Sequence, residues 1–151
     1  MGTNTTLYEQ DFYAWTHATA ALIRAGKWYD LAPEPLAEEV ESLGASQYTA
    51  VTSAVYQILV HLLKWRYQPA RQSRSWRVSL LEHRSRIPRR LRRAPSLERD
   101  IPLMMEEEYP AACRKASAQT GLPLTTFPEA CPWRPAQLLD PDFWPEVGSE
   151  A

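Results

Sequence analysis

The stretch SQYTAVTSAVYQILVHLLKWRY, residues 46–67, decides the fold class of this chain. Its apolar side chains recur at alternating steps of three and four residues, a spacing that places them on one face of an α-helix. That face consists of Tyr48, Val51, Val55, Ile58, Leu62 and Trp65. Leu59 and Leu63 widen it, so the helix should pack against at least two neighbours. Pro69 ends the pattern, and the core of the protein is expected here.

Further helical patterns lie on both sides of this stretch. The expected helices cover residues of about 7–25, 33–43, 73–93 and 100–120. In the helix that begins at Pro33, Leu36, Val40 and Leu43 should face inward. The sequence has no Asn-Gly or Asp-Gly turn and no sustained alternation of apolar and polar residues, so strand signals are absent. The sequence therefore predicts an all-α protein, a bundle of four to five helices.

Glycine and proline mark where these helices should end or bend. Gly26, Gly44 and Gly121 each close an apolar-periodic stretch, where a left-handed residue commonly ends a helix. At Gly44 a bend is the alternative to an end. Pro88 and Pro110 fall inside predicted helices and are expected to kink them, because proline removes a backbone hydrogen bond.

The residues after Gly121 form a proline-rich tail that still carries large apolar side chains. Its aromatic residues are Phe127, Trp133, Phe143 and Trp144. A disordered segment would rarely keep such groups, so we expect the tail, about 121–147, to pack over the bundle, about 7–120. One short helix is expected near Pro135–Leu139. The whole chain, residues 1–151, is predicted to be a single helical domain.

Composition and cysteine content narrow the class of protein. Of 151 residues, 44% are hydrophobic and 23% charged, as in ordinary globular proteins. The longest apolar run, Ile58–Leu63, is too short to span a membrane, and Met1–Thr6 lacks the features of a signal peptide. Cys113 and Cys131 do not suggest a disulfide framework. We therefore expect a cytoplasmic protein without a lipid anchor.

Charge is unevenly distributed along the chain. Residues 1–41 carry two basic and seven acidic groups, residues 42–97 carry eleven basic groups and one acidic group, and residues 98–151 carry four basic and ten acidic groups. The corresponding net charges are −5, +10 and −6, which sum to the overall −1. The basic middle either neutralises acidic neighbours within the fold or forms a site for phosphate or nucleic acid.

Seven strings, in order along nearly the whole chain, together resemble a bacterial family known as domain-of-unknown-function family twenty-nine. They are YEQDFYAW (8–15), LAEEVESLG (36–44), HLLKWRYQP (61–69), SRSW (73–76), TGLP (120–123), FPEACP (127–132) and FWP (143–145). The resemblance implies an α-helical bundle. It implies no established activity and supplies no catalytic residues.

Glu38, Glu41 and His61 are the candidates for a metal or acid/base site. Carboxylates and histidine inside a helical bundle can bind a transition metal. The chain nevertheless lacks Glu-x-x-His and His-x-x-x-His spacings, and His17 and His83 fall on other predicted helices. No glycine-rich phosphate loop is present, and no cofactor is expected. A metal-dependent or acid/base enzyme is therefore the alternative to a binding protein.

Two arginines at the start of the fourth helix need anionic partners. Cations are unfavourable at a helix N-terminus, where Arg74 and Arg77 lie. We expect ion pairs with Glu38, Glu39 or Glu41 inside the fold, and the alternative is an anion outside it.

An arginine run follows in the same helix and comprises Arg84, Arg86, Arg89, Arg90, Arg92 and Arg93. It could be a solvated face, contact an acidic protein surface, or bind the phosphates of nucleic acid. The pI of about 6.3 and the missing recognition-helix context disfavour nucleic acid. We predict an interaction module whose partner is a protein or a second copy of the chain. The candidate surface consists of Lys64, Arg74, Trp76, Arg77, Arg86, Arg89, Arg90 and Arg93.

Overall fold

The structure, a computed structural model that describes residues 2–146, is built from α-helices. The helices are α1 (Gly2–Gln10), α2 (Phe12–Arg24), α3 (Pro33–Tyr67), α4 (Arg74–Arg93), α5 (Ile101–Thr120) and α6 (Pro135–Leu139). Short 3-10 helices join them at Trp28–Asp30, Pro69–Arg71, Pro95–Asp100 and Leu124–Thr126. The described residues form no strand, so the predicted all-α class is confirmed. None of their helices is both long enough and apolar enough to cross a membrane.

The chain divides into two compact units, Met1–Ser46 and Gln47–Ala151, and α3 contributes residues to both. In the first unit, the predicted helix of about 7–25 is interrupted at Asp11. The Asp11 side chain accepts a hydrogen bond from the backbone N–H of Ala14 (3.0 Å). Asp11 is therefore the N-cap of α2. The apolar spacing continues from α1 into α2, and for that reason the sequence predicted one helix where the structure has two.

Aromatic side chains from α1 and α2 pack against one another in the first unit. The rings of Tyr8 and Phe12 lie 4.8 and 5.8 Å from that of Trp15, which is buried. The Tyr8 hydroxyl donates to Glu39 on α3 at 2.6 Å. This hydrogen bond, with some desolvation, raises the pKa of Tyr8 to about 12. The contact ties α1 to the start of α3.

The predicted inner face of residues 33–43 is wrong in the structure. Val40 is 60% exposed and Leu43 is 69% exposed, while Leu36 is half-buried. Helical spacing places these side chains on one face, but it does not supply a neighbouring element that covers that face.

Gly44 does not end a helix, which was the first of its two predicted roles, and the bend stays a prediction. It lies within α3, which runs unbroken for 35 residues. The two glycines with positive φ among the described residues are Gly26 (+70°) and Gly121 (+75°), and Gly121 is the C-cap of α5 as predicted. A glycine costs a helix interior only about 1 kcal/mol relative to alanine, which neighbouring helical residues can offset. Pro88 and Pro110 likewise lie inside α4 and α5.

Replacing Gly44 by alanine should stabilise the protein by about 0.5–1 kcal/mol. A Cβ atom at this position meets nothing within 4 Å, so the gain in helix propensity is not opposed by a clash. Urea unfolding followed by far-ultraviolet circular dichroism measures the change. Ala45→Gly, at the adjacent exposed position, is the matched control and should have the opposite sign. A loss of stability in Gly44→Ala would contradict a helical Gly44.

The core of the second unit confirms the pattern of residues 46–67. Val51, Val55, Ile58 and Leu62 are fully buried. The facing side chains come from α4 and α5 and include Leu80, Ile87, Ile101, Met104, Met105 and Ala112. Burial of this many large apolar groups gives the unit its main stabilising term.

The proline-rich tail packs on this core. Phe127, Trp133 and Leu138 are buried within the core cluster, and α6 occupies the predicted position. The ring of Trp144, which is half-buried, lies 4.6 Å from that of Trp65 on α3. Residue 147 of the predicted tail is outside the described residues. From Phe127 to Trp144 the tail is therefore part of the folded unit.

Arg84 attaches the tail to α4 and is not a surface arginine. Only 2% of it is exposed, although the arginine run predicted a basic surface that included it. Its Nε, Nη2 and Nη1 groups donate to the carbonyl oxygens of Leu138 (2.9 Å), Gln137 (3.1 Å) and Phe143 (2.7 Å). Burial lowers the pKa of Arg84 to about 10, partly offset by Asp140, so the guanidinium is charged at neutral pH.

Candidate binding surface

The second half of α4 presents four arginines on one exposed face. Arg86, Arg89, Arg90 and Arg93 follow the i, i+3, i+4, i+7 spacing of a helix face, and all four are exposed. We call this set the arginine stripe. It spans eight residues, whose seven steps correspond to about 10 Å of helical rise. The opposite face of α4 supplies Leu80, Arg84 and Ile87 to the core, so the four stripe arginines lie away from the buried face of the helix.

Little negative charge balances the arginine stripe. Arg86 pairs with Glu82 at 2.9 Å, an exposed i, i+4 ion pair, and Arg90 donates to the Gln47 side chain at 3.3 Å. Arg89 and Arg93 have no hydrogen-bond or ion-pair partner in the described part of the chain. Arg86–Arg90 and Arg89–Arg93 are like-charged i, i+4 pairs, which cost a helix a few tenths of a kcal/mol each. The helix itself therefore gains little from this arrangement.

The remaining predicted surface residues lie nearer the start of α4. The Lys64 ammonium lies 4.5 Å from the centre of the Trp76 ring, a cation–π contact between α3 and α4. Arg74 is exposed at the first position of α4. The Arg77 guanidinium lies 4.9 Å from the Trp144 ring and 5.8 Å from the Trp65 ring. Arg77 therefore contacts the tail at Trp144 and also contributes positive charge to the surface.

The ion pairs expected for Arg74 and Arg77 stay a prediction, because these arginines belong to the second unit and Glu38, Glu39 and Glu41 belong to the first. Within the first unit, Glu38 and Glu39 accept from Tyr8. Within the second unit, the Arg77 guanidinium lies against aromatic rings.

The structure does not bring Glu38, Glu41 and His61 together as metal ligands. All three lie on α3, but Glu38 and Glu41 belong to the first unit and His61 belongs to the second. Among the described residues, no group of three or more histidine, cysteine, aspartate or glutamate side chains is arranged to hold a metal ion.

His61 instead lies beside His83, which helical spacing within one segment could not bring to it. Its ring centre lies 5.5 Å from that of His83 on α4. His61 Nδ1–H donates to the Gln57 carbonyl at 2.9 Å, which leaves Nε2 as the titrating nitrogen. His83 Nδ1 faces Arg86 Nη1 at 3.4 Å. The signal that could have identified this pair is that His83 lies seven residues after Trp76, and thus on the helix face that meets Lys64.

Burial and neighbouring cations disfavour protonation in this region. Desolvation lowers the pKa of His61, and Lys64 lowers it further. Desolvation, His61 and Arg86 lower the pKa of His83, against a smaller opposing effect of Glu82. Desolvation lowers the pKa of Lys64 as well. Desolvation is the largest cause for all three groups, and the opposing effects of the Gln57 carbonyl on His61 and of Glu82 on His83 do not offset it.

The two cysteines are free thiols that lack the environment of a nucleophile. Cys113 is buried and Cys131 is half-buried. Burial raises the pKa of both thiols, so thiolate formation is disfavoured. Cys113 also lines a cleft of about 500 Å³ between α5 and the tail, beside Tyr109 and Phe127. The Tyr109 hydroxyl is already used, since it donates to the Pro128 carbonyl at 2.7 Å.

Comparison with known families gives one match. The family model described as "Domain of unknown function DUF29" matches residues 7–144, nearly the whole chain. Neither the curated proteins nor the solved structures include a match to the chain. The matched range contains α2 to α6, the arginine stripe and the His61–His83 pair.

Proposed function

The chain belongs to the DUF29 family, a domain of unknown function, and we propose from its own surface that it is a protein-binding module. Its partner presents carboxylates along about two turns of helix, and these dock on the arginine stripe. One observation carries the proposal: Arg86, Arg89, Arg90 and Arg93 share one exposed face of α4. Among the described residues, the ion pair between Arg86 and Glu82 is the only one on that face.

Charge geometry supports a partner of this kind. A guanidinium can donate two parallel hydrogen bonds to one carboxylate, and arginine is enriched in protein interfaces. The stripe follows helical spacing over about 10 Å, so glutamates at the same spacing on a partner helix would face it in register. The helix dipole stabilises basic residues in the last turn of a helix, which accounts for Arg90, Arg92 and Arg93 in α4. Arg86 and Arg89 lie before that turn and have no such explanation.

We place this interaction in the cytoplasm. Cys113 and Cys131 are both unpaired thiols, and the cytosol is the compartment that keeps thiols reduced. Self-association of the chain is a variant of the same proposal, since residues 98–151 supply acidic groups.

Neutralising the stripe should weaken binding to an acidic helix. The probe is a labelled alanine-based helical peptide with glutamates at i, i+3, i+4 and i+7, titrated at low salt by fluorescence anisotropy. Surface ion pairs contribute about 0.2–1 kcal/mol each. Replacing all four stripe arginines by glutamine should therefore weaken binding roughly tenfold or more.

The matched control replaces Arg71, Arg92, Arg99 and Arg114, four exposed arginines outside the stripe, by glutamine. Its net charge equals that of the stripe variant, so its binding should stay near the unmodified value. Equal losses in both variants would show a response to overall charge and would refute docking at the stripe. A short DNA duplex that binds more tightly than the peptide, with affinity falling steeply as salt rises, would replace the protein partner by nucleic acid.

A further inference from the structure

We propose that His61, Lys64 and His83 form a second site, between α3 and α4, that binds a tetrahedral oxyanion of the phosphate and sulfate class and takes up protons as it does so. This site adjoins the arginine stripe, because Arg86 of the stripe contacts His83, but its ligand is a small anion rather than an acidic helix. The proposal does not depend on the protein partner proposed above.

The contacts between the two helices define the site. His61 and Lys64 are one turn apart on α3, and His83 lies on the facing side of α4 with its ring 5.5 Å from that of His61. Trp76 fixes the Lys64 ammonium at 4.5 Å, but a ring accepts no conventional hydrogen bond. In the described part of the chain Lys64 has neither a hydrogen-bond acceptor nor a carboxylate partner. Its N–H groups are available to an anion.

The charges around the pair favour an anion over a metal cation. The charged groups that act on the two imidazoles are Lys64, Glu82 and Arg86. Glu82 and Arg86 neutralise each other at 2.9 Å, which leaves the Lys64 charge unbalanced. A divalent cation would be repelled by that charge, whereas a dianion would be attracted.

Hydrogen-bond geometry provides donors for the anion. His83 Nδ1 accepts from Arg86, so the neutral ring carries its proton on Nε2 and can donate it. His61 Nδ1–H is held by Gln57, so a proton bound at His61 Nε2 creates a new donor. One such proton, added to the charge of Lys64, balances a dianion. Anion binding and proton uptake are therefore linked.

The linkage has a definite sign. Without an anion, the folded protein keeps both histidines neutral below the usual pKa of 6.5, while the unfolded chain binds protons at that pH. The stability from this pair is present above pH 6.5 and is lost as pH falls through the lowered folded-state pKa. An oxyanion should raise both pKa values and reduce that loss.

Sulfate is the test ligand because it stays a dianion across the range of histidine titration. The full chain is titrated from pH 8 to pH 5, and the histidine Cε1–H signals are followed by nuclear magnetic resonance in sodium sulfate and in sodium chloride of equal ionic strength. We expect saturable binding that raises the His61 and His83 midpoints by about half a pH unit relative to chloride. The His17 signal, in the first unit, should respond equally to both salts.

Variants separate a specific site from general screening. Lys64→Gln should remove the difference between sulfate and chloride, whereas Arg92→Gln, an exposed change of equal charge, should preserve it. Inorganic phosphate and O-phosphoserine, compared at one pH, show whether the ligand is a free anion or a monoester. Identical titrations of His61 and His83 in sulfate and chloride would overturn the proposal. So would broadening of both signals by zinc without any response to sulfate.

Discussion

Replacing Arg84 by methionine should lower the free energy of unfolding by about 3–5 kcal/mol. Methionine keeps the apolar stem but removes all three donors to the carbonyls of Gln137, Leu138 and Phe143. Hydrogen bonds to a charged group contribute about 1.5–3 kcal/mol each, and water can reach some of the freed carbonyls, so the loss is less than the full sum. Urea unfolding followed by tryptophan fluorescence measures it.

Two further variants test the mechanism behind this loss. Arg84→Lys retains the charge but cannot spread donors over three oxygens, so its loss should lie between zero and that of methionine. Arg92→Met removes an exposed arginine from the same helix and should change stability by about 0.5 kcal/mol or less. Equal stabilities for Arg84→Met and Arg92→Met would show that Arg84 does not hold the tail.

Replacing Trp133 by alanine should also cost about 3–5 kcal/mol. The side chain is 6% exposed and belongs to the core cluster, so truncation removes apolar contacts and leaves a cavity. Trp144→Ala should cost less, because that indole is only half-buried against Trp65. The same urea experiment, with fluorescence corrected for the missing indole, ranks the two variants.

Trp28→Ala supplies the control for this pair, since Trp28 is 62% exposed. Its effect on the free energy of unfolding should be the smallest of the three. A smaller loss for Trp133→Ala than for Trp144→Ala would mean that the tail is anchored at its end rather than along its length.

Much of the fold follows from local sequence. The step-three, step-four pattern of residues 46–67 correctly predicts a buried helix, and Gly121 correctly marks the end of α5. A helix end was also predicted at Gly44, wrongly, because the residue type alone does not distinguish a glycine inside a helix from a glycine at its C-terminus. Only neighbouring residues able to continue the helix distinguish the two cases. Asp11 shows the reverse error, an N-cap concealed by a continuous apolar stripe.

The candidate surface was only partly predictable. Helical spacing alone places Arg86, Arg89, Arg90 and Arg93 on one face, and the structure leaves them exposed. Helical spacing also places Arg84 on the other face, with Leu80 and Ile87. Its hydrogen-bond partners could not be predicted, because those carbonyls lie 53 to 59 residues later in the chain. The proximity of His61 to His83 likewise depends on how α3 packs against α4, which no local pattern encodes.

The contact between Arg84 and the tail has a consequence for synthesis of the protein. A nascent chain extended only as far as α5 contains the core helices but still lacks the oxygens that accept from Arg84. Its guanidinium must then stay hydrated, which keeps water at the site where α6 later binds. Closure of the core should therefore wait until residue 143 has left the ribosome. Because those oxygens belong to the main chain, the hydrogen bonds of Arg84 depend on the path of the tail backbone and not on the identity of the side chains at 137, 138 and 143.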